Sequence, residues 1–290
     1  MTEALKIRRR WKAKKYAVRA GLYLAYALIA IFFLVPFFLM ISMSLMSPNE
    51  SIGNPQTVFL PAEPYWSNYA RALDADFLRS LGNTLFIIGC NLILTPLGCS
   101  LCAFGFARCK FPGREVIFSI TLATIMLPAI VVQIPLYVMY FRWGWINTFC
   151  PFILPSVLGG GAANIFITRQ FMRSIPRSLD EAATIDGANR FQIYLRIVMP
   201  MCVPVMLFVM IGVFNGYWND FTAPLMYLRR KEVWTMPLAV YNRYAGRLSI
   251  ENYPCYQMAT GVFMILPPAI LFFIFQRQII GGVVMSDLKG

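Results

Sequence analysis

The sequence predicts an all-α, polytopic membrane protein with six transmembrane helices. Three features carry that reading. Hydrophobic residues make up 58% of the chain and charged residues 13%, about half the roughly 25% charge of soluble domains. Several apolar runs reach the ~18–20 residues that a helix needs to cross a bilayer, and irregular backbone cannot face lipid, so those runs must be helical. The basic residues gather at the ends of the runs. The formal net charge of +13 therefore reads as membrane orientation and not as nucleic-acid binding.

The first span is expected at 21–46. Lys6, Arg8, Arg9, Arg10, Lys12, Lys14, Lys15 and Arg19 precede it against Glu3 alone, which places segment 1–20 in the cytoplasm. A signal peptide also begins basic, but its apolar region is only ~7–15 residues; this one runs from Gly21 past Met40. It is an anchor. The stretch 47–78, with Glu50, Glu63, Asp74 and Asp76 against Arg71, suits the outer side.

Further spans are expected at 80–107, 115–141, 151–172, 200–227 and 256–280, with a cytoplasmic tail at 281–290. Arg108, Lys110 and Arg114 mark the second turn as inner. Arg169 and Arg173 ahead of it, with Arg177, Arg190 and Arg196 inside it, do the same for the insert at 176–199 that ends before Pro200. One outer loop disagrees, since Arg229, Arg230, Lys231, Arg243 and Arg247 outnumber Glu232 and Glu251 there. Later loops constrain orientation less than the first span. Pro96, Pro128, Pro135, Pro155, Pro204, Pro267 and Pro268 fall within the spans, where kinks are expected.

Seven cysteines are present. Cys99 and Cys102 form a CxxC, but inside an apolar span, without a second such pair or any histidine. Small residues at a helix contact are the simpler account, and no metal site is expected. Cys150 and Cys255 both fall near the outer face, where a disulfide is conceivable.

Residues 180–200, DEAATIDGANRFQIYLRIVMP, do not fit the oily pattern. Pro176 cannot continue a helix, and Ser178 with Glu181 matches a capping box, so a helix is expected from Ser178. Gly187 is a natural stop because glycine accepts positive φ without a steric penalty. Asn189 with Gln192 repeats the start signal. A second short helix should then present Phe191, Tyr194, Leu195 and Val198 as one apolar face, ending at Pro200. This knuckle is too charged to insert and too regular to be a slack linker. Ala182 and Ala183 permit close approach by a neighbour, and Glu181 offers a carboxylate. Equally, Glu181 caps its own helix and the knuckle rests on lipid headgroups.

The same residues resemble the EAA motif of ABC importer permeases. Glu181-Ala182-Ala183, then Gly187, then Ile197 and Pro200 match its spacing, with Met199 in place of the usual leucine, a volume-conserving swap. SLGNTLFI (80–87), GYWNDFTAPLMYL (216–228) and QRQIIGGVVMSDLKG (276–290) resemble further parts of the carbohydrate-uptake branch, in the manner of MalG-type subunits. The resemblance implies a type I ABC importer (MetI-like) permease fold in a bacterial inner membrane, with both termini cytoplasmic. It also implies a second, MalF-like permease, two ATP-binding cassette subunits and an extracytoplasmic solute-binding protein as partners. In that family the motif couples to the ATPase. That role falls by position on Glu181, Ala182, Ala183, Ile185, Gly187, Ile197 and Pro200, and the C-terminal tail reaches between the ATPase subunits. The loop before the last span, about Tyr241–Pro254 with Tyr241, Asn242, Arg243, Tyr244 and Arg247, is implied to meet the binding protein.

The chain lacks its own energy source. Its seven lysines are Lys6, Lys12, Lys14, Lys15, Lys110, Lys231 and Lys289, and none follows a glycine as a phosphate-binding loop requires. No cofactor is expected here; ATP and Mg belong to the partner subunits. Asp220 is the one carboxylate expected inside a span, Glu115 standing at the first position of the third, which argues against proton drive. For a solute path the polar candidates are Asn83, Asn91, Gln133, Asn164, Asn215, Asn219 and Asp220, with Tyr137, Trp143 and Trp218 as stacking faces. Such residues equally serve helix–helix hydrogen bonding. The basic outer loop reads either as a docking patch for an acidic surface or anionic saccharide, or as a solvated charge run.

A sugar-importer permease is thus the leading expectation, contacting membrane lipid and no nucleic acid. A permease for another solute class is the first alternative. An intramembrane lipid-modifying enzyme is the second, and no catalytic residue is assigned: the chain has no histidine, HExxH or GxSxG, and no paired titratable groups in a cleft.

Overall fold

The computed structural model of the chain describes residues 2–53, 59–245 and 253–287. Every regular element among them is helical. Helix α1 (Thr2–Ser44) runs unbroken through the basic segment into the first apolar run, so residue 20 marks a change of composition and not of backbone. Two short helices follow, α2 (Pro48–Ile52) and α3 (Ser67–Ala72). Then come α4 (Ala75–Arg108), α5 (Arg114–Ala123) and α6 (Ala129–Arg142). The pair α7 (Cys150–Val157) and α8 (Ala162–Ser174) is joined by Gly159, Gly160 and Gly161. The knuckle holds α9 (Ser178–Ile185) and α10 (Arg190–Ile193). A π-helical turn (Tyr194–Val198) and α11 (Met199–Met201) lead into α12 (Val203–Trp218). Last come α13 (Thr222–Tyr227), α14 (Met236–Tyr244) and α15 (Pro254–Asp287).

Four helices among the described residues are long and apolar enough to cross a membrane, and six if each of two bent pairs counts as one span. The third expected span is not a kinked rod. Its halves, Arg114–Met126 and Ile130–Arg142, meet at 104°. Leu127, which precedes Pro128, is extended at ψ 121, the region to which a following proline ring biases its predecessor. The fifth span also differs. Arg190–Met201 and Val203–Trp218 meet at 75°, and the helix stops at Trp218, leaving 222–227 as the separate α13. By contrast Pro96 sits inside the continuous α4, and Pro267 and Pro268 inside the continuous α15.

Two compact units emerge, 1–73 with 251–265, and 74–250 with 266–290. In the first, buried Asn68 donates 2.8 Å bonds to the carbonyls of both Ser44 and Met46, satisfying backbone released where α1 ends. Arg71 donates to the Tyr256 hydroxyl at 2.8 Å.

In the second unit α4 is the central post, packed by α7, α8, α12 and α14. Two glycines set how closely its neighbours approach. A Cβ on Gly98 would fall 2.7 Å from the Ser156 carbonyl oxygen, and one on Gly160 would fall 2.5 Å from the Thr95 methyl. Asn91, fully buried, closes the same contact. Its amide donates to the carbonyls of Ile87 and Phe152, and its oxygen accepts from the Ser156 hydroxyl. The CxxC is part of this packing, with Cys99 buried against Thr168 of α8. Cys150 and Cys255 are free thiols, so the conceivable disulfide is not formed.

Candidate coupling surface and solute cleft

Both expected starts in the knuckle occur, by different means. Helix α9 does begin at Ser178, but no side chain caps it: Arg177 precedes the helix, and its carbonyl accepts from the N–H groups of Asp180 and Glu181. The expected Ser178–Glu181 capping box is therefore absent, because Ser178 lies inside the first turn. The second box forms in full. The Asn189 side chain accepts from the Gln192 N–H at 2.9 Å, and the Gln192 side chain accepts from the Asn189 N–H at 2.8 Å.

Between the helices Gly187 adopts φ +84. Its N–H donates to the Thr184 carbonyl and the Ala188 N–H to the Ala183 carbonyl, the two bonds of a Schellman stop. The expected apolar face needs correction. Tyr194 and Val198 are buried, with Ile193 beside them, whereas Phe191 and Leu195 are 64% and 54% exposed. A π turn follows Phe191: the Met199 N–H reaches back to the Tyr194 carbonyl, one residue beyond an α-helical bond. Pro200 follows, which has no N–H to continue the ladder.

The knuckle is built into the membrane-spanning core. Ala183, Ile193, Tyr194 and Val198 belong to one buried cluster with Cys99, Ala103 and Phe104 of α4, Ile165 and Met172 of α8, and Val205 and Val209 of α12. The Tyr194 hydroxyl meets that of Ser100 at 2.8 Å, and its ring meets Phe104 edge-on at 5.2 Å. The other side is bare. Glu181, Ala182, Asp186 and Gly187 are exposed, and Ile185 is 86% exposed. So the candidate coupling residues divide. Ala183 faces inward and Ile197 is half-buried, while Glu181, Ala182, Ile185 and Gly187 face outward beside the exposed Pro200.

Two arginines that the sequence offers only as orientation markers are structural. Arg108, ending α4, donates 2.8 Å bonds to the carbonyls of Met172 and Ile175 and pairs with Asp180 of α9 at 3.0 Å. Arg169 of α8 is 4% exposed, lies 3.8 Å over the Phe118 ring and pairs with Glu115 at 3.0 Å. Local spacing gives no signal of either contact, because each joins residues far apart in the chain.

A cleft of about 480 Å³ opens between the α7–α8 junction, α4 and α12. Thr95, Ser156, Asn164, Tyr217 and Asp220 line it, together with the glycines Gly160, Gly161, Gly212 and Gly216. The expected path residues scatter. Asp220 reaches the cleft, just past the end of α12, where it accepts from the Ala223 N–H at 3.2 Å. Burial pushes its carboxyl up from the ordinary range, opposed by the N–H groups of Ala223 and Thr222.

Asn215 and Asn219 are exposed on α12, and each amide donates to its own helix. Asn91 is consumed by packing, as above. Asn83 fastens the chain near α14, donating 2.9 Å bonds to the carbonyls of Glu232 and Trp234. Gln133 keeps a shielded side-chain oxygen with no partner. Tyr137 stacks near Tyr227 and meets Arg229 through its hydroxyl. Trp218 is 2% exposed and stacks on Phe214 at 5.4 Å, so it offers no free face. Asn164, whose amide donates to the Gly160 carbonyl at 2.7 Å, does line the cleft. The sequence reading missed Gly212, Gly216 and Tyr217; a glycine pair four residues apart on an apolar helix was the available signal.

The outer basic loop is partly neutralised within the unit. Lys231 pairs with Asp76 at 2.6 Å, and Arg243 pairs with Asp74 at 3.1 Å. Tyr241, Asn242, Arg243 and Tyr244 form the end of helix α14 rather than a loop. Tyr241 is half-exposed against Phe221, and Tyr244 is buried. Arg247 lies outside the described residues. No group of three or more metal-ligating side chains occurs among those that are described.

Comparison with known proteins places this geometry. The model of the binding-protein-dependent transport system inner membrane component matches residues 96–283. The diacetylchitobiose uptake system permease protein of Streptomyces coelicolor is 29% identical over 257 residues, covering 88% of this chain and 84% of that one. The arabinooligosaccharides transport system permease protein of Bacillus subtilis is 28% identical, covering 94% and 96%. A chain in the crystal structure of a bacterial ABC transporter for the acidic polysaccharide alginate superposes with a TM-score of 0.79 at 23% identity, covering 96% and 98%, and so shares the fold. The chain is a membrane permease and belongs to the family of binding-protein-dependent transport system inner membrane components.

Proposed function

We propose that the chain is a permease subunit of an ATP-driven importer for a sugar or oligosaccharide, and that the knuckle is the surface through which ATP hydrolysis reaches it. One observation carries the coupling role. The knuckle buries one face in the same core as α4, α8 and α12 while presenting Glu181, Ala182 and Ile185 bare. A nearly naked isoleucine beside a carboxylate is poorly placed in water and well placed in a partner's cleft. Displacement of that surface passes directly into packed helices, because close-packed interiors transmit strain.

The chain then sits in the cytoplasmic membrane with segment 1–20, the 176–199 insert and the 281–290 tail on the inner side. Two ATP-binding cassette subunits, carrying ATP and Mg, dock below it. A second, MalF-like permease completes the path, and a solute-binding protein delivers sugar near α14. The saccharide reading is supported by the permease relatives named above, which serve diacetylchitobiose and arabinooligosaccharide systems. The cleft fits it as well, since hydroxyl, amide and carboxylate groups around glycine-made space suit a polyhydroxylated solute.

The test is to purify the assembly through this chain, rebuild it in proteoliposomes with its binding protein, and screen a glycan panel for stimulated ATP hydrolysis. Recovery of a second permease and two ATPase subunits, with stimulation by one saccharide class, is expected. A chain recovered alone, or stimulation by a non-sugar solute only, contradicts the reading.

A further inference from the structure

The knuckle is covalently continuous with α8 on one side and with α12 on the other. Helix α4 is not, although it is the post on which both pack and it lends Thr95 to the cleft. The knuckle packs on α4 through Ala183 and Tyr194, and the Arg177 side chain donates to the Ala107 carbonyl, but the charged tie between α4 and α9 is a single side chain. Arg108, 5% exposed, grips the carbonyls of Met172 and Ile175 with one guanidinium nitrogen and the Asp180 carboxylate with another. This is the ion pair that joins α9 to α4 among the described residues. We propose that Arg108 and Asp180 are the positioning pair through which a moving knuckle drives α4, a route separate from the chain connections to α8 and α12. The inference rests on the coupling role proposed above.

Two details fit a joint better than an inert staple. Both partners keep an unused polar atom: Arg108 Nε and Asp180 Oδ1 are shielded from solvent and have no hydrogen-bond partner. A guanidinium presents donors on several edges, and a carboxylate that swings towards the Nε edge gains a second parallel bond. The pair can therefore be remade as α9 shifts without stranding its charges, and stranding a buried charge is what would otherwise oppose movement. In addition, Arg108 holds Met172 and Ile175 on the segment that leads into α9, so α4 feels both ends of that segment.

Asp180→Asn and Arg108→Lys test this in the reconstituted importer. Each is combined with Asp186→Cys, on the exposed side of the knuckle, for cross-linking to the ATPase subunit. The expected result is an intact cross-link with sugar moved per ATP hydrolysed falling about tenfold in Asp180→Asn, the size of one lost charge-assisted bond. Arg108→Lys should fall less, since it keeps the charge but loses the fork, and it carries the test if Asp180→Asn fails to accumulate. A wild-type ratio with the cross-link intact overturns the joint. Loss of the cross-link in step with the ratio also overturns it, since the pair would then only shape the docking face. Absence of the cross-link in the otherwise unaltered chain removes the coupling role beneath both.

Discussion

The knuckle and the cleft are both polar interruptions in an oily chain, yet they were legible to very different degrees. In the knuckle the signals are local. A glycine stop and an Asn–Gln capping box act on neighbours within a turn or two, and the structure realises both, though the Ser178–Glu181 box is absent. In the cleft the lining groups come from four helices spread along the chain, α4, α7, α8 and α12, or from residues flanking them, and a polar residue's position says nothing about whether its bonds are already used. Asn91 and Asn164 look alike in sequence. One is sealed between α4 and α7, and the other faces open space. A polar residue inside a membrane helix reports function only after its hydrogen bonds have been counted.

Substitutions can break or sharpen that contrast. Gly187→Pro should have the largest effect. Proline fixes φ near about −65°, against the +84 of the native turn, so the exposed face can no longer be presented; uptake should fall to background while the chain still accumulates in membranes. Gly160→Val comes next. Its branched side chain would meet Thr95 at a position with φ +63, and overpacking typically costs about 1–3 kcal/mol. A lower thermal midpoint in detergent would register this.

Asn91→Ala should cost ~1–3 kcal/mol by stranding buried partners, with KM for the transported sugar unchanged among folded molecules. Asn164→Ala should do the reverse, leaving stability within about 0.5 kcal/mol as surface changes do while raising KM. If the two variants behave alike, the distinction between packing and path fails. Arg243→Ala should also cost little stability, about 0–1 kcal/mol, because its partner Asp74 is well exposed. A clear drop in stimulation by the binding protein, with stability held, would show that α14 is where that partner lands.

The misses have physical causes. The bend at Pro128 and the continuity at Pro96 involve the same residue type. Neighbouring packing decides between them, and sequence does not show packing. Trp218 was expected to offer a stacking face, but it is buried, with its ring stacked on Phe214. Arg108 was counted with the positive-inside charges, a valid use of its sign that hid its reach to Asp180. Phe191 and Leu195 stand off the buried face that Ile193, Tyr194 and Val198 fill, and a π turn at Tyr194–Val198 runs up to Pro200, neither of which local spacing shows.

The knuckle's role as a coupling surface is tested most directly by Glu181→Lys, with ATP hydrolysis and sugar uptake measured in the same proteoliposomes. The substitution reverses one exposed charge and disturbs no buried contact. ATP hydrolysis that continues while uptake drops to background is the result expected of a surface that links the two. Wild-type uptake, at the wild-type number of ATP molecules per sugar, would show that the link lies elsewhere.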